Sequence, residues 1–242
     1  MPRNPGKQII VALDVDSRNE ALRLVRELQG KVGLFKVGSQ LFTAEGPQLV
    51  RDIIGMGEQV FLDLKFHDIP NTVIKSALIA QNLGVSMITV HTSGGLRMMS
   101  SVMELFSRAD FARARPFVLG VTVLTSLSSE ELKDIGYPPQ VQEQVIRLAR
   151  LAERAGLDGV VASPEEIRPL RDLLGRSLKI VTPGIRPAVS ESDDQSRIAT
   201  PGFALKAGAD YLVIGRPITA SPNPAESAER ILDSIRAEME QT

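Results

Sequence analysis

Lysine and aspartate crowd one short stretch of this chain, Asp63-Leu64-Lys65-Phe66-His67-Asp68, and a further lysine, Lys36, closes an earlier apolar run. Residues 60–65 alternate as a strand does, so Phe61, Asp63 and Lys65 share one face. Charges left unpaired in a core are strongly unfavourable, so these must pair, neutralise or line a site. A structural ion pair at a strand end is the plain alternative. The continuation Asp68-Ile69-Pro70-Asn71-Thr72 adds a carboxylate, a turn and a hydroxyl, which favours a site. An ammonium preorganised beside carboxylates can stabilise developing negative charge and then deliver a proton.

Something must position these groups. Strands are expected at 9–15, 34–37, 59–65, 87–91, 117–123, 159–162, 178–182 and 211–214. Between them lie helical patterns, such as 17–29 with Leu22, Val25 and Leu28, and 141–155 with Val145, Leu148 and Leu151. Strict β–α alternation implies a parallel sheet, and eight such units in 242 residues close most simply into a (β/α)8 TIM barrel. A doubly wound sheet would expect G-x-G-x-x-G after the first strand, where Leu13-Asp14-Val15-Asp16 stands instead. No linker or low-complexity tract interrupts the chain, so one barrel domain is expected over 1–242. The longest irregular stretch, about 125–139, reads as a lid or site loop.

In such a barrel the site lies at the C-terminal strand ends. Those ends supply Asp14, Lys36, Asp63 with Lys65, His91, Thr122 with Thr125, Ser163, Thr182-Pro183-Gly184 and Gly215-Arg216. The last two, Thr182-Pro183-Gly184-Ile185-Arg186 and Ile214-Gly215-Arg216-Pro217, each place a glycine and an arginine after a strand. Glycine permits close backbone approach and arginine presents a planar fork, so phosphate binding is expected there rather than two ordinary turns beside surface arginines. His91 reads as a hydrogen-bonded core or rim histidine, and His67 as packing or orienting its loop.

Composition narrows the partners. A net charge of −1 offers no broad basic face to nucleic acid or anionic membrane. The absence of cysteine excludes disulfides, thiolate catalysis and cysteine-ligated metal, and two histidines do not make a histidine-rich metal centre. Two tyrosines and no tryptophan argue against stacking platforms for single strands. The first residues lack the apolar core of a signal peptide, and no run approaches the ~18 apolar residues of a membrane span. A cytoplasmic protein is expected.

The segment Phe61-Leu62-Asp63-Leu64-Lys65-Phe66-His67-Asp68-Ile69-Pro70-Asn71-Thr72 resembles the signature of the orotidine 5′-phosphate decarboxylase family. The resemblance spans nearly the whole chain. It takes in Leu13-Asp14, Phe35-Lys36-Val37-Gly38, Val121 through Ser126, Val181 through Pro187 with Asp194-Gln195, and Asp210 through Ile218. The Asp-x-Lys-x-x-Asp core joined to Ile-Pro-Asn-Thr is highly specific; the Gly-Arg-Pro ending is shared by many phosphate-binding barrels. No motif position departs from the pattern.

The resemblance implies decarboxylation of orotidine 5′-monophosphate to uridine 5′-monophosphate, the last step of de novo pyrimidine synthesis, without metal or organic cofactor. It makes Lys65 the proton donor to C6, sets Asp63 against the departing carboxylate, and completes a Lys-Asp-Lys-Asp array with Lys36 and Asp68. Asp14 and Lys36 would touch the ribose hydroxyls, Thr125 and Ser128 the pyrimidine edge, and Arg186, Gln195, Gly215 and Arg216 the phosphate. A homodimer with shared sites is implied, Asp68 and Thr72 entering the neighbour's site. The loop 125–139 and the segment 187–196 would close over bound nucleotide. Two alternatives stand beside it. One is a Mg²⁺-using relative acting on a sugar phosphate, such as a ketogulonate-phosphate decarboxylase or hexulose-phosphate synthase; the other is a nucleotide-binding barrel without catalysis.

Overall fold

Eight short strands alternate with helices in the computed structural model, which describes residues 4–108, 114–187 and 199–240. The strands are β1 (Ile9–Ala12), β2 (Leu34–Gly38), β3 (Val60–Phe66), β4 (Met87–His91), β5 (Phe117–Val121), β6 (Gly159–Val161), β7 (Lys179–Thr182) and β8 (Tyr211–Ile214). The α-helices are α1 (Arg18–Leu28), α2 (Ser39–Gly55), α3 (Pro70–Leu83), α4 (Gly95–Arg108), α5 (Ser129–Asp134), α6 (Val141–Arg154), α7 (Ile167–Leu174), α8 (Pro201–Ala207), α9 (Arg216–Thr219) and α10 (Pro224–Glu240). Each strand runs parallel to the next, and β8 pairs with β1 through Ile9↔Leu212 to Val11↔Ile214, so the sheet closes as the expected (β/α)8 barrel.

Side-chain alternation along the strands builds two cores. Ile10, Leu34, Phe61, Met87, Leu119, Val181 and Val213 point inward and plug the barrel. The intervening residues, among them Ile9, Val11, Phe35, Val60, Leu62, Ile88 and Val118, face outward into the helical layer. In α1, Ser17 caps the first turn by accepting from the Glu20 amide at 3.3 Å. Ala21, Leu24, Val25 and Leu28 then form its buried stripe, while Leu22 packs at the margin. In α6 the stripe is Gln144, Val145, Leu148, Ala149 and Ala152, with Leu151 marginal.

Several differences from expectation lie at or near the functional rim. The strands β1 and β5 end at Ala12 and Val121 rather than at 15 and 123, and β6 at Val161 rather than at 162, while β2 runs on to Gly38. The strand β3 extends one residue further, to Phe66, for a reason taken up below. The stretch 125–139 is not wholly irregular but holds α5, begun by a capping box in which Ser128 and Glu131 bond each other's backbone amides. Among the described residues no helix is long and apolar enough to cross a membrane.

Candidate active site

Inward-facing residues change character as they climb. The series Ile10–Ala12 on β1 with Asp14 just beyond it, Leu34–Lys36 on β2 and Phe61–Asp63 on β3 each begin apolar and end charged. The charges meet. Lys36 Nζ donates to Asp14 Oδ1 at 3.0 Å and stands 4.0 Å from Asp63 Oδ2. Lys65 Nζ donates to the same Asp63 oxygen at 2.9 Å. Asp63 is 8% exposed, so its charge depends on these ammonium groups for compensation.

The pairing of β3 with β4 makes this possible. Leu62 pairs with Ile88 and Phe66 with Val90, so residues 63, 64 and 65 stand opposite Thr89 alone. The bulge explains why β3 runs through Phe66. It also brings Lys65 to the same cavity as Asp63 with a backbone that plain alternation would not give. Lys65 has φ 51°, the only positive φ at a non-glycine among the described residues. Left-handed backbone costs an L-residue about 1–2 kcal/mol, and strain of this kind gathers at functional sites. Thr89, fully buried, bridges the bulge: its hydroxyl accepts from the Lys65 amide at 2.8 Å and donates to Asp63 Oδ1 at 2.9 Å. In the strand expected at 87–91 the sequence singled out His91 alone. Equal parity with Met87 and His91 was the available signal that Thr89 faces inward.

These charges line an open cavity of about 330 Å³ at the C-terminal end of the barrel. Phe61, Val121, Val161, Val181 and Val213 make its apolar floor and walls; Asp14, Lys36, Asp63, Lys65, Thr125, Arg186, Gly215 and Arg216 supply the polar side. Eight of the expected site residues are thus gathered in one place. Gly184, at φ 77°, takes a turn that favours glycine and leads to Arg186, whose side chain is buried. Gly215 introduces the short α9, which begins with Arg216 itself.

Other expected residues lie elsewhere. Asp68 is exposed outside the cavity, its carboxylate accepting from the Ile69 amide at 2.6 Å. Thr72 is exposed on the first turn of α3. Ser128 caps α5 and does not line the cavity. Gln195 and residues 188–198 fall outside the described residues. Thr122, Ser163 and Thr182 are buried at their strand ends rather than in the lining, and the Thr122 hydroxyl donates to the Val161 carbonyl at 3.0 Å.

The two histidines stack on each other with ring centres 5.2 Å apart, and His91 Nδ1 lies 2.8 Å from Ser93 Oγ. Burial pushes the His91 imidazole below its ordinary pKa, and the neighbouring His67 and Lys65 charges push the same way.

The sequence profile of the "Orotidine 5'-phosphate decarboxylase / HUMPS family" matches residues 7–231. The chain is 53% identical over 238 residues to the orotidine 5′-phosphate decarboxylase of Syntrophotalea carbinolica, covering 97% of each chain. It is 51% identical over 231 residues to that of Heliobacterium modesticaldum, covering 94% of this chain and 95% of the relative. The crystal structure of the enzyme from Lactobacillus acidophilus superposes with a TM-score of 0.82 at 36% identity, over 94% of this chain and 98% of that one. A parallel barrel with a lysine–aspartate rim, matched over nearly its full length, belongs to the orotidine 5′-phosphate decarboxylase / HUMPS family.

Proposed function

We propose that the chain is a carboxy-lyase that converts orotidine 5′-monophosphate to uridine 5′-monophosphate, with a lysine of its own stabilising the developing charge and supplying the proton. The observation that carries this reading is the Lys65 ammonium, held 2.9 Å from Asp63 in a cavity that also holds the loops of Arg186 and Arg216. A dianionic phosphate suits those two arginines and the close backbone approach at Gly215. Anchoring there lets binding energy remote from the ring be spent at C6.

The chemistry then follows from charge. Breaking the bond from C6 to the carboxylate leaves an electron pair in an sp² orbital that the ring cannot delocalise well. The Lys65 ammonium stabilises that pair as it develops and then transfers one of its N–H protons to C6, giving uridine 5′-monophosphate and carbon dioxide. Lysine, left neutral, recovers its proton from solvent. Asp63 faces the departing carboxylate. Lys36, ion-paired to Asp14, orients the ribose hydroxyls, and Thr125 meets the pyrimidine edge. On this reading neither metal nor organic cofactor takes part, and the barrel with its rim forms one functional unit over the whole chain.

Two further parts extend the reading. Asp68 and Thr72 are exposed beside Ile69, which is 67% exposed, and a second copy of the chain covers that apolar side chain in a two-fold dimer. Each chain then lends Asp68 and Thr72 to its neighbour, completing the Lys-Asp-Lys-Asp array. The segment 125–139 with α5, carrying Ser128, closes over bound nucleotide, and Gln195 contributes from the segment beyond β7.

The family also holds Mg²⁺-using sugar-phosphate enzymes, which the near-full-length identity to named orotidine 5′-phosphate decarboxylases disfavours. The deciding assay follows loss of orotidine 5′-monophosphate absorbance on adding purified protein in excess EDTA. Turnover at an undiminished rate is expected. Uridine 5′-monophosphate binding without turnover points instead to a sensor, and Mg²⁺-dependent turnover of a sugar phosphate with none of orotidine 5′-monophosphate to the sugar-phosphate group.

A further inference from the structure

We propose that Thr89 is a positioning residue for this decarboxylation, an inference that rests on the reaction assigned above. Its hydroxyl holds the Asp63 carboxylate and the Lys65 backbone in one relay.

A threonine hydroxyl has one proton to give. Thr89 Oγ1 lies 2.9 Å from Asp63 Oδ1, an acceptor only, so the proton goes there; the Lys65 amide then donates to the oxygen's lone pair at 2.8 Å. The order is Lys65 N–H to Thr89 O–H to Asp63 carboxylate, each bond polarising the next. Both partners flank the bulge, where residues 63–65 stand opposite Thr89 alone. The Lys65 amide therefore has no β4 carbonyl in register and takes the threonine oxygen instead. The hydroxyl supports the residue with φ 51° and fixes which oxygen of Asp63 faces the lysines.

That division of the carboxylate matters for the chemistry. With Oδ1 tied to Thr89, only Oδ2 is left to Lys65, at 2.9 Å, and to Lys36, at 4.0 Å. Released from Thr89, the carboxylate is free to rotate and present both oxygens to the Lys65 ammonium. Lys65 would then be drawn to Asp63 and away from C6. Since Thr89 itself does not line the cavity and acts only through Asp63 and Lys65, its loss should lower the rate of the chemical step and spare nucleotide binding.

Valine replaces the hydroxyl by a methyl of similar size and suits a strand equally well. Serine keeps the hydroxyl and loses the methyl. Thr89→Val is expected to lower kcat by about 10- to 100-fold, the range for one hydrogen bond to a charged group, with KM and uridine 5′-monophosphate affinity close to wild type. Thr89→Ser is expected to recover most of kcat. Hydrogen exchange at the Lys65 amide should speed up in Thr89→Val and stay slow in Thr89→Ser. A packing role predicts the opposite order, with valine near wild type and serine impaired, and that result overturns the proposal. So does unchanged protection of the Lys65 amide in Thr89→Val. Should the valine protein not fold, Thr89→Ala is measured against Thr89→Ser by the same criteria. A wild-type protein that binds uridine 5′-monophosphate but does not decarboxylate refutes the reaction assigned above; an active wild type with an unaffected valine variant refutes only the role of Thr89.

Discussion

Lys65 carries two demands at once, a backbone outside the usual region and, in the proposed reaction, a side chain that both stabilises charge and supplies the proton. Alanine at this position keeps the strained backbone and removes the ammonium. Lys65→Ala is therefore expected to fold, with a melting temperature near wild type, and to lose kcat by at least about 10³-fold, since one group serves two roles in one step. A kcat near normal in steady-state assays would sink the mechanism. His91 offers an independent probe of the same charge. Its folded pKa lies below the ordinary value of about 6.5, so its NMR titration midpoint should fall below that value and move up in Lys65→Ala, where one positive neighbour is gone. A midpoint unmoved by that substitution would mean that the Lys65 charge does not reach the ring. Of these residues, Asp63 and Lys65 were legible from alternation alone. Thr89 was not, because its part depends on a bulge that no spacing within β3 announces.

Elements account for most of what was legible and most of what was not. Strands and helices were readable because apolar periodicity is written along a single segment; their ends were not, because strand ends depend on the neighbour's ladder. Ser128 shows the same limit in another form. Its spacing to Glu131 is a capping-box signature, and the structure uses it to start α5, while the resemblance pointed to a ligand contact. The loops after β7 and β8 form a second working element. Arg216→Ala should raise KM and lower kcat/KM for orotidine 5′-monophosphate by about 10- to 100-fold, the range for a charged hydrogen bond. With orotidine, which lacks the phosphate, wild type and variant should behave alike. Equal impairment on both substrates would assign Arg216 to the structure of its loop.

At the scale of the molecule, two tests concern assembly and acid stability. Lys65→Ala and Asp68→Ala should each be inactive, yet exchange between them should restore activity. In a mixed dimer one site carries both defects and the other carries neither, so random exchange of equal amounts recovers roughly a quarter of all sites. No recovery after verified exchange would show that Asp68 works within its own chain. At the opposite end of the barrel, burial pushes the Asp210 carboxyl up, but the Ile180 amide, Lys179 and Arg171 outweigh it and hold its pKa below the ordinary value. The stability it contributes is fully present above the unfolded carboxylate value of about 3.9 and is lost as pH falls through the lower folded value. Asp210→Asn should lower the melting temperature at pH 7 by roughly 5–10 °C, with a smaller gap in strongly acidic buffer. A gap that widens on acidification would reverse the assignment. The proposed dimer rests on likeness alone, since a second chain leaves no periodicity in the first.

The upward change from apolar to charged along the barrel's inner face also guards the assembly of the sheet. A parallel strand can slip by two residues without exposing its wrong face. Here such a slip of β2 or β3 would lower Lys36 or Asp63 into the layer of Leu34, Phe61 and Met87, stranding a charge among hydrocarbon. The charges gathered at the rim thus also make mispaired barrels unfavourable to form.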